Sequence, residues 1–366
     1  MKPDKIFSIR YLAIIGILAM HFLSSIFHSA LYPVGMTAQT PVIQQYSPTY
    51  HDDLFNFLGY SFLVNLFKPA TILFFIISGY LFEINFSKYR SNGFLSIVKK
   101  KFHTLLKPYL IVFAVPTFLI FLLVKPLLGF GGAVINISAA FEQLVKMISY
   151  TSYWFIPVLV GYFFINFFIP SQHVKTALLI SAPITLFISL SNYLSFGGMF
   201  LSFAIPGFIS FFFLGRWLQM RKTAFVFIGK NVNIALVCLF LFTSNLESYL
   251  TYYKFYNVDF LGTLRISNLF YSLSLFHLMV NHVSIEKIIT AKVFKPYNSY
   301  FIYLLHPFFV SMIDKVVIRN PDLFSTLFLL KAIVITTSLI IITFLLSKQV
   351  LAIRLSRNTK LDQIIF

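Results

Sequence analysis

The sequence predicts an all-α, polytopic membrane protein with about ten transmembrane helices and both termini in the cytoplasm. Three observations carry that expectation. Hydrophobic residues fill 58% of the 366 positions and charged residues only 11%, whereas a soluble domain carries about 25% charged residues. The apolar residues fall in runs of roughly 20, the length that crosses a hydrocarbon core about 30 Å thick. The charges lie between those runs. A net charge of +18 invites a nucleic-acid reading, but cations spaced between apolar runs are topology determinants, so the partner is the lipid bilayer and no nucleic acid is expected. No internal repeat, low-complexity stretch or soluble domain interrupts the chain, and residues 1–366 read as a single integral membrane domain.

The spans follow in order. The first is 11–31, and as no small-residue cleavage site follows it, it is expected to stay as a span rather than leave as a signal peptide. A polar stretch, 32–56, contains His51, Asp52 and Asp53. Span two covers about 62–83, and a basic loop with Lys88, Arg90, Lys99, Lys100, Lys101 and Lys107 follows it. Span three, about 108–129, starts at Pro108, where a missing N–H is harmless. A loop to about 150 leads to span four, 151–170, and the turn PSQHVK to span five, 175–192. Span six, about 199–219, ends in a second basic loop with Arg216, Arg221, Lys222 and Lys230. Span seven, about 232–245, is short. Spans eight, nine and ten cover about 260–281, 299–318 and 325–347. Cys238, the one cysteine, lies inside an apolar run and excludes an intrachain disulfide.

Ten spans return the chain to its starting side. With the N-terminus inside, 21 of the 29 Lys and Arg residues fall on the cytoplasmic side, as the positive-inside rule requires. The opposite orientation puts both basic loops outside.

Four polar features sit in or beside spans. In RYLAIIGILAMH, Arg10 to His21, a helical rise of ~1.5 Å per residue puts His21 about 16 Å beyond Arg10. Arg10 then sits at one face and His21 near mid-membrane, where an ionisable group is costly and by default functional. The plain alternative is a histidine that bonds a neighbouring helix. His28 is seven residues on, on nearly the same face, and near the outer end. In FFIISGYLF, 74–82, Ser78 and Gly79 allow close helix approach. In KKKFHTLLKPY, 99–109, cations and His103 precede a span. They serve either as a topology or anionic-lipid signal or as a phosphate site. In FIYLLHP, 301–307, Pro307 frees the carbonyl at Tyr303, which then needs another donor beside the buried His306. Trp154 with Pro157 makes a comparable break in span four.

This ordered set resembles the acyltransferase family 3 of integral membrane proteins. The pieces are R-x10-H (Arg10, His21), FFIISGYLF, the basic run before Pro108-Tyr109, YWFIPVL (Tyr153, Trp154) and IYLLHP (His306, Pro307), in the family order. FFFLGRWL (211–218) and FIYLLHPFF look most like the branch of the intercellular-adhesin biosynthesis membrane protein, linked to O-succinylation or export of a surface polysaccharide. The resemblance implies transfer of an acyl group from cytoplasmic acyl-CoA, acetyl-CoA or succinyl-CoA, to a glycan at the outer face. It implies His21 as catalytic base, since a neutral imidazole can take a proton from a sugar hydroxyl. It places the donor phosphates on Arg10, Lys100, Lys101 and His103, with Ser78, Trp154 and His306 shaping the site and no metal. The family's Arg-x-Arg pair is absent here, and Lys99, Lys100, Lys101 and His103 stand in its place; lysine binds phosphate as a point charge.

The expected protein is therefore a multi-pass plasma-membrane O-acyltransferase acting on a cell-surface polysaccharide or its lipid-linked precursor, in company with polysaccharide synthase components. Two rivals remain at this stage. A glycan exporter or flippase would line a pathway with Arg265, His21 and His306, although the paired broken helices of two symmetric halves are not visible. A non-catalytic subunit of a synthesis complex would have no use for a buried basic site.

Overall fold

Inside hydrocarbon every backbone N–H and C=O must find a partner within its own segment, which leaves the helix as the economical choice for chains of this composition. The computed structural model describes residues 3–31, 54–119, 122, 137–150, 154–191, 200–221, 228–254, 263–289, 299–319 and 328–357, and these contain helices and no strand. We number them α1 (Pro3–Leu31), α2 (Leu54–Phe67), α3 (Pro69–Ile84), α4 (Phe86–Ser91) and α5 (Phe94–Leu119). Then follow α6 (Ile137–Tyr150), α7 (Phe155–Phe167), α8 (Val174–Ser191), α9 (Phe200–Arg221) and α10 (Lys230–Lys254). The last are α11 (Ile266–Asn281), α12 (Ile285–Ile288), α13 (Ser299–Arg319) and α14 (Phe328–Arg357).

Each expected span overlaps a helix in the residues described. Among the described residues, six stretches are long and apolar enough to cross a membrane: Asp4–Ile26, Leu58–Ile84, Phe94–Leu119, Ser171–Ser191, Lys230–Thr251 and Leu330–Lys348. Phe155–Phe167 and Tyr300–Val310 are shorter apolar helices. Large apolar side chains point outward along α5 (Ile111, Val115), α8 (Ile180, Phe187), α10 (Phe242) and α14 (Val334, Leu345). A soluble monomer rarely exposes so much contiguous apolar surface; here it is the lipid-facing side.

α1 is apolar all round, as a helix enclosed by others must be. One side, with Ile9, Ala13 and Ile17, packs into a core shared with α3, α7 and α9. The other, with Tyr11, Ile14 and Leu18, packs with α2, α13 and α14. The closest crossing is α3 on α9. A methyl on Gly79 would lie 2.0 Å from the Phe212 carbonyl oxygen, and one on Gly215 would lie 1.8 Å from that of Ile76. Small residues that let two backbones meet are the usual device of membrane helix packing, as the Ser78-Gly79 pair led us to expect.

Four expectations need correction. The loop before span four contains the helix α6: its apolar residues at helical spacing, among them Leu144 and Ile148, pack on the core, but its overall hydropathy is too low to read as a span. Span three does not begin at Pro108, because α5 already runs from Phe94. The proline is absorbed between two widened turns, Phe102–Leu106 and Leu110–Ala114, and such π-type turns often mark functional segments. Span seven is not short. α10 continues through Ser244, Asn245, Glu247 and Ser248, polar residues whose partners lie inside the protein: Asn65 donates to Ser248 (2.9 Å) and Asn245 (3.1 Å), and Arg265 donates to Asn65 (2.8 Å) and Ser248 (2.5 Å). Arg216 is not a loop charge. It lies inside α9 at 0% exposure. The segment with His51, Asp52 and Asp53, and Tyr153, lie outside the described residues.

The Gly215 contact predicts that Gly215→Ala, which needs α3 and α9 to separate, lowers stability by about 1–3 kcal/mol. Gly161→Ala, with nothing within 4 Å of the added carbon, should instead be neutral or gain up to about 1 kcal/mol from helix propensity. Thermal unfolding of the two variants in the same detergent compares them directly.

Candidate functional site

Helices α1, α3, α5, α7 and α13 surround a cavity of about 180 Å³. Its polar lining comes from four directions: Arg10 from α1, Ser78 from α3, Asn85 from the α3–α4 junction and Lys101 from α5. Aromatic rings supply much of the rest, among them Phe82, Tyr89, Phe155, Phe163, Tyr300 and Tyr303. Arg10 and Lys101 are its cations, and no Asp or Glu stands among the described lining residues. Two like charges held over one concave, mostly apolar space repel each other and favour an anionic ligand between them.

Lys101 is held by rings. Its Nζ lies 3.6 Å from the centroid of Phe163 and 5.7 Å from that of Tyr89, contacts worth about 2 kcal/mol or more where water is excluded. The widened turn of α5 begins directly after Lys101, and within it the Leu105 carbonyl accepts from the Tyr300 hydroxyl of α13. Tyr89, at the junction outside the spans, is buried, and that burial pushes its phenol above the ordinary value of 10.0. It therefore stays a neutral ring beneath the lysines.

Arg216 and Glu83 frame the cavity from behind. Arg216 Nε lies 2.6 Å from Glu83 Oε2, Nη1 donates to the Asn166 side chain at 3.1 Å and to the Ile169 carbonyl at 3.0 Å, and Ser171 donates to Glu83 Oε1 at 2.5 Å. The guanidinium also lies over Phe82 at 5.1 Å, the ring that forms part of the cavity wall. The network joins α3, α7 and α9, and the partners at Nε and Nη1 offset the burial of the charge, while Nη2 has none among the described residues.

Farther along α1, His21 and His306 form a ring pair. Their centroids are 5.1 Å apart with planes at 30°. His21 is partly exposed and His306 is fully buried. His306 Nδ1 lies 2.6 Å from the Tyr303 carbonyl oxygen, the acceptor that Pro307 was expected to leave without its helical donor. Tyr303 belongs to both groups: it lines the cavity, and its ring centroid is 4.9 Å from that of His306.

The structure thus brings Arg10, Ser78 and Lys101 to one cavity and pairs His21 with His306 just beyond Tyr303. It does not bring in the others. Lys100 lies beside Tyr89, its Nζ 5.7 Å from the ring centroid, and off the cavity wall. His103 is exposed, next to Phe102. Trp154 is one layer back, stacked on Phe208 at 5.5 Å and 22°, while its neighbour Phe155 faces the cavity. The His28 side chain is outside the described part. Sequence reasoning named the Tyr303 carbonyl but missed its ring on the cavity wall, and missed Phe155, Asn85 and the Glu83–Arg216 pair. Tyr303 and Phe155 stood inside motifs already singled out, and an acid near the end of span two opposite an arginine in FFFLGRWL was a legible signal for the pair.

These features define a multi-pass helical membrane protein with an anion-suited cavity near an imidazole pair, one ring of it buried. The model of the acyltransferase family 3, described as an acyltransferase domain, matches residues 6–348. The chain belongs to that family and is a membrane acyltransferase. No curated protein and no solved structure matches it.

Removing one member of the ion pair should be costly. Arg216→Met leaves the Glu83 carboxylate buried without its counter-charge and is expected to lose about 3–5 kcal/mol, whereas Glu83→Met with Arg216→Met together should recover most of that. Unfolding in detergent, compared across the two single variants and the double variant, measures the coupling.

Proposed function

We propose that this chain is a plasma-membrane O-acyltransferase of ten crossings with both termini in the cytoplasm. It moves an acetyl or succinyl group from cytoplasmic acyl-CoA to a hydroxyl of a cell-surface polysaccharide or its lipid-linked precursor. The observation that carries this reading is the pairing of two cations over a cavity with no acid in its described lining, near a partly exposed histidine. An acyl-CoA donor is an anion with an apolar arm, which suits a wall of Arg10, Lys101 and aromatic rings. A cavity of about 180 Å³ takes one end of such a donor rather than the whole nucleotide.

His21 is the base in this scheme. The acceptor hydroxyl gives its proton to His21 as its oxygen attacks the acyl carbon, the carbon–sulfur bond breaks, and the departing thiolate takes the proton back. Arg10 and Lys101 hold the anionic part of the donor, and Ser78 offers a hydroxyl to it. Surface polysaccharide and its synthase are the partners that suit this activity, and the branch of the intercellular-adhesin biosynthesis protein is the place in the family that fits FFFLGRWL and FIYLLHPFF. Nothing in the geometry favours the exporter: Arg265, its supposed pathway cation, is bonded to Asn65, Ser244 and Ser248 between α2, α10 and α11.

The direct test is glycan acylation per molecule of protein in the membrane. His21→Asn can still form a hydrogen bond but is no base, and should lose about 10²–10⁴-fold of activity. A histidine with only a packing role would cost ~1 kcal/mol of stability and spare the rate; near-normal activity of His21→Asn therefore overturns the assignment. For the donor side, Lys101→Met should raise the acyl-CoA KM about tenfold or more, the worth of a charge-assisted contact, and leave the acceptor KM alone. Lys100→Met should change neither by much. Equal effects of the two lysines would remove the cavity from donor binding.

A further inference from the structure

The Tyr303 carbonyl, His306 and His21 form a chain of three groups that packing alone does not explain. Pro307 has no N–H, so the carbonyl of Tyr303 loses the donor a helix would give it. His306 supplies one from the side chain, with Nδ1 2.6 Å from that oxygen. A carbonyl only accepts, so the proton of the neutral ring is on Nδ1 and Nε2 is bare. That Nε2 is buried and has no hydrogen-bond partner among the described residues. An acceptor left so is destabilising, and a leucine would have avoided it. Of the described rings packed around His306, Phe22, at 6.5 Å, has no hydrogen-bonding group, and Tyr303, besides the carbonyl already counted, sets its ring at 62° and 4.9 Å. The remaining one is His21, tilted 30° at 5.1 Å, a separation at which a small rotation brings the ring edges together.

We propose that His306 is the positioning residue of the catalytic base: its bare Nε2 receives the hydrogen bond of His21 when His21 takes the substrate proton. This rests on the reading of His21 as the base. In the step, the acceptor hydroxyl proton goes to one nitrogen of His21 and the new oxygen–carbon bond forms. The N–H on the other nitrogen of the imidazolium donates to His306 Nε2, which spreads the positive charge. The carbon–sulfur bond then breaks, the sulfur takes the proton from His21, and His21 returns to its neutral form. His306 gains and loses no proton. It does for this base what a buried carboxylate does in a Ser-His-Asp arrangement, which is to hold the ring and stabilise its charged form. A neutral partner achieves this in hydrocarbon without the burial of an anion. The proline is then part of the device, since it creates the open carbonyl that fixes the His306 tautomer.

Two variants separate this role from a structural one. In His306→Asn the amide nitrogen stands where Nδ1 was and can still cap Tyr303, but nothing reaches the position of Nε2. In Pro307→Ala the backbone N–H returns to the Tyr303 carbonyl and releases Nδ1. The full-length chain is assayed in membranes for CoA release from acetyl-CoA and from succinyl-CoA, with deacylated surface polysaccharide of the host strain as acceptor, and ¹⁵N-histidine NMR of the purified protein reads the His306 tautomer. Expected are a kcat lower by about 10–100-fold for His306→Asn with an unchanged donor KM, and for Pro307→Ala a higher unfolding temperature, a lower kcat and a shift away from the Nδ1–H form. A His306→Asn protein with kcat within about twofold of normal, while His21→Asn is inactive, overturns the inference and leaves the base assignment standing. An Nε2–H tautomer in the wild type overturns it too. Activity in His21→Asn strikes instead at the base assignment. If His306→Asn does not accumulate, Pro307→Ala and the tautomer decide.

Discussion

The crossing of α3 and α9 at Gly79 and Gly215, with no space for a methyl on either side, sets the geometry of this protein. Membrane helices gain little from mutual apolar burial, because lipid is as apolar as leucine. Close backbone approach and buried polar contacts must supply what the hydrophobic effect does not. Here the two coincide. The glycine crossing sets the distance between α3 and α9, and the Glu83–Arg216 pair with Asn166 and Ser171 sets their register and adds α7. Ser78, adjacent to Gly79, can then face the cavity while its neighbour is pressed on α9. Phe82 serves both sides, under the Arg216 guanidinium and on the cavity wall. A shift of one helix would move the lock and the site together.

The readable parts of the sequence were those governed by solvent. Long apolar runs located the helices, because hydrocarbon allows a chain little else. His21 and His306 stood out because ionisable groups at that depth are costly, and the structure places them against each other. The proline argument at Pro307 even identified the atom in need of a partner. The failures share a physical reason. Helix α6 and the second half of α10 are stabilised by neighbours rather than by their own hydropathy, so a window along the chain undervalues them. Lys100 and Lys101 are adjacent and chemically identical; which one turns towards Phe163 depends on the widened turn that follows, and no local pattern encodes it. Arg216 read as a loop charge because its partner, Glu83, is 133 positions away.

The two polar centres of the chain differ in a way that bears on function. Around Arg265 the hydroxyls and amides of Ser61, Asn65, Ser244 and Ser248 answer one another, and Glu247 accepts from Ser267 at the start of α11. That centre joins α2, α10 and α11 and gives Arg265 three side-chain partners, although Glu247 Oε1 has none among the described residues. Around the cavity the balance is incomplete: two cations have no acid in the described lining, and next to them a buried imidazole nitrogen has no donor. Stabilising networks satisfy their members. Two cations without an acid, near an imidazole nitrogen without a partner, set this region apart from the centre around Arg265.

Topology and chemistry also draw on the same cations. Arg10 and Lys101 lie among basic residues of the kind that orient a chain in the membrane. A charge placed only for orientation is best left in water. Lys101 is instead turned from the surface onto Phe163, and Arg10 is half-buried in the cavity wall, each at a cost in desolvation that orientation does not require. Lys99 and His103, which remain exposed, show the arrangement that orientation alone produces. The difference separates the cations left in water from those that line the cavity. The cavity thus lies at the end of α1 where basic residues of α1 and α5 gather, and the histidine pair lies farther along the same helix.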